Sequence, residues 1–279
     1  MITALDHLDL VCPEIEAAEA DYFALLGEDP VWRSETEDTA SVVFAVGNTA
    51  LELLAPQGEG PVADKLREMI EDGAGRTTLV YRSDGLKDDH HLLSRRGLGP
   101  SEITDDESQH GDTGAQRAWQ RFRVPDTSMA GIKTFVLETD TPFVAAHPER
   151  GSVSALDHVV INTPNPERAV ANYGARLGLR FALDRTAEEW KTRFLFFRLG
   201  GLTLEVIHRL GETHDPSADD HVWGLTWETD DLEAAHERLT AAGRDISIIR
   251  QGRKPGSRVF TVRNGTQGVP PLFIAHTPV

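Results

Sequence analysis

Apolar positions bounded by turn residues mark two segments of the chain that share one pattern. ALDHLDLVCP covers residues 4 to 13 and ALDHVVINTP covers residues 155 to 164, and each places a histidine within an apolar run. Such short runs are typical of β-strands. Because both frames repeat Ala, Leu, Asp, His and a closing Pro, they predict an internal repeat.

A helix-like segment follows each of these strands. In PEIEAAEADYFALLG, residues 13 to 27, apolar side chains recur at helical spacing and Gly27 marks the end. In PNPERAVANYGARLG, residues 164 to 178, Asn165 is a candidate N-cap and Gly178 marks the end. Three β-type segments then follow in each case: PVWRSE, ASVVFAV and TALELLAP after the first helix, and LRFALDR, TRFLFFRL and LTLEVIH after the second.

A second strand–helix–strand unit completes each repeat. LVYRSDGL, residues 79 to 86, matches LTWETDDL, residues 225 to 232, and each leads into a helical segment and further strands. The pattern therefore predicts four βαβββ units. We place the first two in half one, residues 1–143, and the other two in half two, residues 154–279, with a linker at residues 144–153. The acidic stretch at residues 101–116 is predicted to be a long surface loop.

The balance of charge restricts the partners of the protein. The chain has 279 residues and a formal net charge of −17, from 45 acidic and 28 basic side chains. This charge repels phosphate backbones and anionic lipids, so we expect no nucleic-acid or membrane binding. The single cysteine, Cys12, allows no internal disulfide, and the chain has no recognisable secretory signal or long apolar run. These features predict a cytoplasmic protein.

The paired units, the LDH strand openings and the LELLAP and LEV strands resemble the vicinal oxygen chelate superfamily, the glyoxalase, extradiol dioxygenase and bleomycin-resistance group. Within it, the chain is similar to glyoxalase-like domain proteins over nearly its full length. The resemblance implies an α+β fold, in which four βαβββ units pair into two curved mixed-sheet domains. It implies a lyase, isomerase or dioxygenase that uses a divalent metal on a small molecule with adjacent oxygens. The alternative is a metal-free protein that binds or sequesters a small molecule. In both cases the chain could form a homodimer.

Strand alternation places a histidine and a glutamate on the concave face of each half. These are His7 and Glu52 in half one and His158 and Glu205 in half two. An imidazole and a carboxylate supply half of a divalent-metal site, and such mixed donors suit iron, manganese, zinc, nickel or cobalt. Glu52 and Glu205 are also the candidate catalytic carboxylates.

The remaining ligands that the resemblance implies are replaced in this sequence. The family's histidine at the start of the fifth strand corresponds to Thr78 and Gly224, and its final glutamate falls near Val136 in half one. We therefore do not expect a standard lactoylglutathione lyase. Glu138 and His276 are the candidate substitutes. They would complete the sets His7, Glu52 and Glu138, or His158, Glu205 and His276.

Other concave-face residues indicate a substrate. Arginines next to an aromatic side chain suit an anionic or aromatic ligand. The substrate-binding candidates are Asp9, Thr78, Arg82, Trp119, Arg121, Arg123 and Gly224. Because Arg82 would compete with a metal, we expect half one to bind an anionic ligand. Half two, where Gly224 leaves space, is then the expected metal holder, with at most one well-occupied metal per chain.

Overall fold

A computed structural model describes residues 1–73 and 77–276 of the chain. Within them, the strands form two eight-stranded mixed sheets, one in each half. Counted along the chain within each half, the strands of both sheets lie side by side in the order second, third, fourth, first, fifth, eighth, seventh and sixth. This shared order confirms the predicted α+β fold of four βαβββ units.

The elements of half one follow the predicted sequence of units, with one additional helix. They are β1 Ile2–Val11, α1 Ile15–Leu26, β2 Trp32–Glu35, β3 Thr39–Val46, β4 Thr49–Pro56, α2 Pro61–Asp72, β5 Thr77–Ser83, α3 Leu86–Arg95, β6 Thr104–Gln109, β7 Gln116–Val124 and β8 Lys133–Glu138.

The elements of half two repeat that order except that no helix in its described residues corresponds to α2, and the helix α4 continues as a π-helix through Val170–Arg176. They are β9 Ala155–Asn162, α4 Pro166–Ala169, β10 Arg180–Ala187, β11 Thr192–Leu199, β12 Leu202–Arg209, β13 His221–Glu228, α5 Leu232–Ala241, β14 Arg250–Gln251, β15 Ser257–Thr261 and β16 Pro271–His276.

The prediction of a surface loop at residues 101–116 is wrong in one respect, because this segment contains the strand β6. The side chains of β6 are mostly exposed, and the strand pairs antiparallel with β7 at the edge of the sheet. Its sequence, TDDESQ, has no apolar side chain, since neither face of the strand is covered. Backbone hydrogen bonds with β7 hold the strand in place. Such pairing requires no alternation of apolar residues, so the sequence did not predict this strand.

One hydrophobic core runs through both halves. It includes Tyr22 and Leu79 from half one and Tyr173 and Trp227 from half two, all fully buried. The side chains on the other face of each sheet line its concave surface, where the candidate site residues lie. The predicted domain boundaries stay a prediction, since the core does not divide at them. No helix in the described residues is long and apolar enough to cross a membrane.

Candidate functional site

A β-bulge in the first strand of each half brings an aspartate and its neighbouring histidine together. The pairing of β1 with β5 shifts between Leu5 and His7, and the pairing of β9 with β13 shifts at Asp157. A bulge re-aims side chains, so consecutive residues need not point to opposite faces. Asp6 Oδ1 consequently lies 2.8 Å from His7 Nδ1, and Asp157 Oδ1 lies 2.6 Å from His158 Nδ1.

His7, Asp9 and Glu52 form a compact group of donors, the half-one cluster. His7 Nε2 lies 3.1 Å from Asp9 Oδ1 and 3.6 Å from Glu52 Oε2. One ligand atom from each residue lies within 4.8 Å of the others. Asp9 Oδ1 is buried and accepts no directed hydrogen bond from the described residues, in spite of its short distance from His7. One nitrogen and two carboxylate oxygens at this spacing fit a divalent cation.

Asp6 holds His7 in the orientation that a metal ligand needs. A histidine that ligates through Nε2 usually donates its Nδ1–H to a carboxylate or carbonyl. Asp6 also accepts hydrogen bonds from Arg82 at 2.8 Å and from Arg117 at 3.2 Å. Sequence reasoning missed Asp6 and Arg117, although the Asp of the LDH motif was a signal. Arg82 pairs with Asp6 on the Nδ1 side of His7, away from the Nε2 atom that faces Asp9 and Glu52. Its charge is balanced by Asp6, so we no longer expect Arg82 to repel a metal.

Burial and charge shift the pKa values of these groups. Although burial alone disfavours the charged forms, the hydrogen bond with His7 and the nearby arginines lower the pKa of Asp6 to about 2. Burial also opposes protonation of His7, but Asp6 and Asp9 raise its pKa to about 10. Burial and the charge of Asp9 raise the pKa of Glu52. In the metal-free chain, the proton on His7 therefore balances carboxylate charge that a metal cation would otherwise balance.

Aromatic side chains enclose one side of the half-one cluster. Phe143, from the segment between β8 and β9, lies with its ring centroid 6.3 Å from that of His7 and 6.1 Å from that of Trp32. The Arg117 guanidinium carbon lies 4.2 Å from the centroid of Phe143. This contact allows a buried arginine to lie against an apolar surface. His7 is consequently shielded from bulk water.

Helix α2 encloses the other side of this concave face. Its Leu66 and Met69 pack against Val11 of β1, and Leu54 of β4 borders the same contact. Val11 lies two residues beyond Asp9 and Leu54 lies two residues beyond Glu52. The helix therefore covers the strand positions that continue the face of the half-one cluster.

The predicted substrate-binding residues of β7 lie along one face of that strand with the buried Arg117. The Arg117 guanidinium carbon lies 4.8 Å from the ring centroid of Trp119. Arg121 pairs with Asp106 at 2.8 Å, and the exposed Arg123 pairs with Asp126 at 2.8 Å. Thr78 is buried and lies directly opposite Asp9 in the strand register.

Glu138 does not join the half-one cluster, and its assignment as a third ligand stays a prediction. The strand β8 is regular, and Glu138 shares its face with Val136, which lies in the core. Its Oε2 accepts a hydrogen bond of 2.9 Å from the backbone N–H of Leu86, at the start of α3. The concave positions of β8 are Phe135 and Leu137, neither of which can ligate a metal.

Half two brings His158 and Glu205 together, and no third carboxylate or imidazole of the described residues joins this pair in a ligand group. His158 Nε2 lies 2.9 Å from Thr226 Oγ1 and 3.5 Å from Glu205 Oε2, whose pKa is raised by burial. Val160 stands where half one has Asp9, and it packs with apolar residues of the same concave face: Ala187, Trp190, Phe194, Phe196 and Ile207. In the part of the chain that the structure describes, the three-donor set that includes the motif histidine lies in half one. Which half binds a metal stays a prediction.

Gly224 and His276 have surroundings other than those predicted. A Cβ at Gly224 would lie 2.8 Å from the carbonyl oxygen of Pro270, so this glycine permits close packing and does not open space. His276 Nε2 contacts Asp157 Oδ2 at 2.8 Å, which places it on the Nδ1 side of His158, away from Glu205. The hydrogen bonds from His158 and His276 outweigh burial and lower the pKa of Asp157.

Comparisons with known proteins agree with this architecture. Residues 157–261 match the Glyoxalase/Bleomycin resistance protein/Dioxygenase superfamily. The chain is 28% identical over 130 residues to an ethylmalonyl-CoA/methylmalonyl-CoA epimerase from Cereibacter sphaeroides, covering 44% of this chain and 88% of the relative.

Two solved structures extend the likeness to the whole chain. A mutant of 4-hydroxymandelate synthase from Streptomyces coelicolor has a TM-score of 0.70 and 14% identity, covering 100% of this chain and 94% of its own. The Mn(II)-bound glyoxalase from Novosphingobium aromaticivorans has a TM-score of 0.63 and 14% identity, covering 98% of this chain and 82% of its own. At such low identity, the likeness shows the fold alone.

Proposed function

We propose that the chain is a member of the vicinal oxygen chelate superfamily, whose Glyoxalase/Bleomycin resistance protein/Dioxygenase model residues 157–261 match, and that half one catalyses a divalent-metal-assisted isomerase or lyase reaction. The substrate is a small molecule with adjacent oxygens. The observation that carries the proposal is the half-one cluster, in which His7, Asp9 and Glu52 converge.

The donor set favours proton transfer over oxygenation. Non-haem iron oxygenases typically use two imidazoles and one carboxylate, whereas the half-one cluster has one imidazole and two carboxylates. A divalent cation held there would polarise a substrate oxygen and stabilise the negative charge that develops when a neighbouring carbon loses a proton. This reaction also needs a base close to the cation. Of the three predicted activities, lyase, isomerase and dioxygenase, the donor set supports the dioxygenase least.

Glu52 is the residue that we assign to proton transfer. Burial and the charge of Asp9 raise the pKa of Glu52 in the metal-free chain, which makes it a stronger base than an ordinary carboxylate. Asp6 positions His7 through Nδ1. Phe143 lies against His7 and Trp32, and the buried position of His7 strengthens the electrostatic interactions of the half-one cluster.

Hydrogen–deuterium exchange tests this proposal on a panel of candidate substrates. A set of 2-oxo acids and 2-hydroxy ketones is incubated in D₂O with the manganese-loaded protein, and deuterium at the carbon next to the carbonyl is followed by NMR. We expect exchange for a subset of the panel and its loss in Glu52→Gln, because an amide cannot accept the proton. The matched variant Glu205→Gln removes the equivalent carboxylate of half two. Exchange that depends on Glu205 alone would place the chemistry in half two.

A metal-free binding role is the second candidate, and the concave face of half two favours it. The Arg253 guanidinium carbon lies 4.7 Å from the ring centroid of Trp190 and 5.9 Å from that of Phe194. Arginine above an aromatic, apolar surface suits an anionic aromatic ligand. Binding of such a ligand to chelator-treated protein would support this role.

A further inference from the structure

Three potential metal ligands meet at a second place in half two, on the opposite side of the His158 ring from Glu205. Asp157, Glu228 and His276 come from β9, β13 and β16, which are neighbours in the sheet. One ligand atom from each residue lies within 4.8 Å of the others. We call these three residues the half-two cluster.

The same place in half one is occupied by cationic side chains. Val80 lies opposite Phe135 and Thr226 lies opposite Leu272, so the matching register makes Arg82 the counterpart of Glu228. In half one the aspartate of the LDH motif contacts two guanidinium groups, those of Arg82 and Arg117.

Half two has the same aspartate and reverses the charge beside it. Glu228 replaces the arginine, so two carboxylates approach each other. Among the described residues, neither Asp157 nor Glu228 forms an ion pair with an arginine or lysine, and the ion pairs of Asp157 are with His158 and His276. Two carboxylates that approach each other repel unless a cation lies between them. In half one, arginines lie beside the aspartate of the LDH motif. In the described part of half two, the group beside that aspartate is the imidazole of His276, which is itself a possible metal ligand.

We propose that Asp157, Glu228 and His276 bind a divalent cation that links β9, β13 and β16. The cation takes the role that Arg82 and Arg117 have in half one, and it fixes Asp157 and thereby the ring of His158. A metal with ligands at about 2.1 Å places adjacent donors about 3 Å apart, and His276 Nε2 lies 2.8 Å from Asp157 Oδ2. The side chains of Asp157 and His276 are 23% and 25% exposed, so an ion can reach them.

This site is independent of the proposed function and raises the expected number of metal ions per chain from one to two. Manganese is a suitable probe, because imidazole and carboxylate donors bind it and free Mn²⁺ is counted by electron paramagnetic resonance. We expect the chelator-treated full chain to bind two Mn²⁺ ions. Glu228→Gln and His276→Ala should each lose one ion, and Asp9→Asn should lose the other.

Glu228→Arg is the most discriminating variant, because it installs in half two the side chain that half one has at Arg82. We expect it to bind one Mn²⁺ ion and to unfold, without metal, at a temperature no lower than the unchanged chain. The new guanidinium should pair with Asp157. Circular dichroism establishes that each variant is folded.

The outcomes separate this proposal from the proposed function. If the Glu228 and His276 variants bind as many Mn²⁺ ions as the unchanged chain, with affinities within about threefold, the half-two cluster is only a hydrogen-bonded group and the inference is overturned. A single ion that only Asp9→Asn removes also overturns it, and leaves the half-one centre intact. A single ion that only the Glu228 variants remove supports the inference and contradicts the proposed half-one centre.

Discussion

At the scale of single residues, one aspartate per half decides how the neighbouring histidine is presented. Asp6 and Asp157 each contact Nδ1 of the next residue, which directs Nε2 towards a glutamate. Their other partners differ, because arginines surround Asp6 whereas His276 contacts Asp157. The two halves therefore share a histidine orientation but differ in the charge around it.

The pKa of His7 predicts how the stability of the metal-free chain depends on pH. It is raised to about 10 from an ordinary value of 6.5. A raised pKa in the folded state adds stability that is fully present below the unfolded value and is lost as the pH rises through the folded value. We expect the free energy of unfolding, measured with urea, to fall between pH 6.5 and 10.

The His7→Gln variant is the control for that pH dependence. Glutamine does not titrate. In this variant the free energy of unfolding should therefore decrease less between pH 6.5 and 10 than in the unchanged chain. Parallel curves for the two proteins would contradict the raised pKa. Metal loading gives a second measurement, since the bound form needs His7 deprotonated and the pH dependence should flatten.

Part of the candidate site could be predicted from residue alternation alone. His7 with Glu52, and His158 with Glu205, were predicted to share a face, and their side chains lie 3.6 Å and 3.5 Å apart. Asp6 was missed because a bulge breaks the alternation, and the bulge arises from pairing with β5, a strand far along the chain. The metal-binding role of these residues stays a prediction.

At the scale of elements, the start of α3 provides a partner for the carboxylate at the end of the last strand of half one. The first backbone N–H groups of a helix lack partners within the helix. The carboxylate of Glu138 accepts the N–H of Leu86, the first residue of α3. The sequence places Glu138 at the end of a strand, but it does not reveal which helix begins beside it.

Substitution of Glu138 distinguishes a helix partner from a metal ligand. We expect Glu138→Ala to lower the free energy of unfolding by about 1 kcal/mol, because it removes a hydrogen bond to a charged acceptor at a helix N-terminus. Glu138→Gln keeps an acceptor oxygen and should lose less. Urea unfolding measures both, and Mn²⁺ binding should be the same in each. A loss of one Mn²⁺ ion in both variants would restore Glu138 as a ligand.

At the scale of the whole molecule, the halves are joined through more than the core. The Asn48 side chain in half one donates to the carbonyl of Leu156 and accepts from its N–H, at 2.8 Å and 2.9 Å. Arg238 of half two donates to the backbone carbonyls of Ala24 and Leu25 at the end of α1. The sequence repeat predicted two similar halves, but contacts between halves leave no trace in a repeat.

This shared core predicts that the two halves unfold together. We expect a single urea transition, with coincident midpoints from circular dichroism and from tryptophan fluorescence, since both halves contain tryptophan. Asn48→Ala removes two hydrogen bonds between the halves and should lower the free energy of unfolding by about 1–3 kcal/mol. Its midpoint should shift equally for both probes. Two separate transitions would mean that the halves are stable alone.

The position of Phe143 has a consequence for recombination between related proteins. The segment that joins the halves also forms a wall beside His7, so the boundary between the halves is not a neutral place to exchange sequence. A chimera that takes β1 to β8 from this chain and β9 to β16 from a relative must keep residues 139–154 from this chain. Evolution by duplication faces the same restriction, because the connection becomes tied to the pocket of one copy and the two copies can no longer be interchanged.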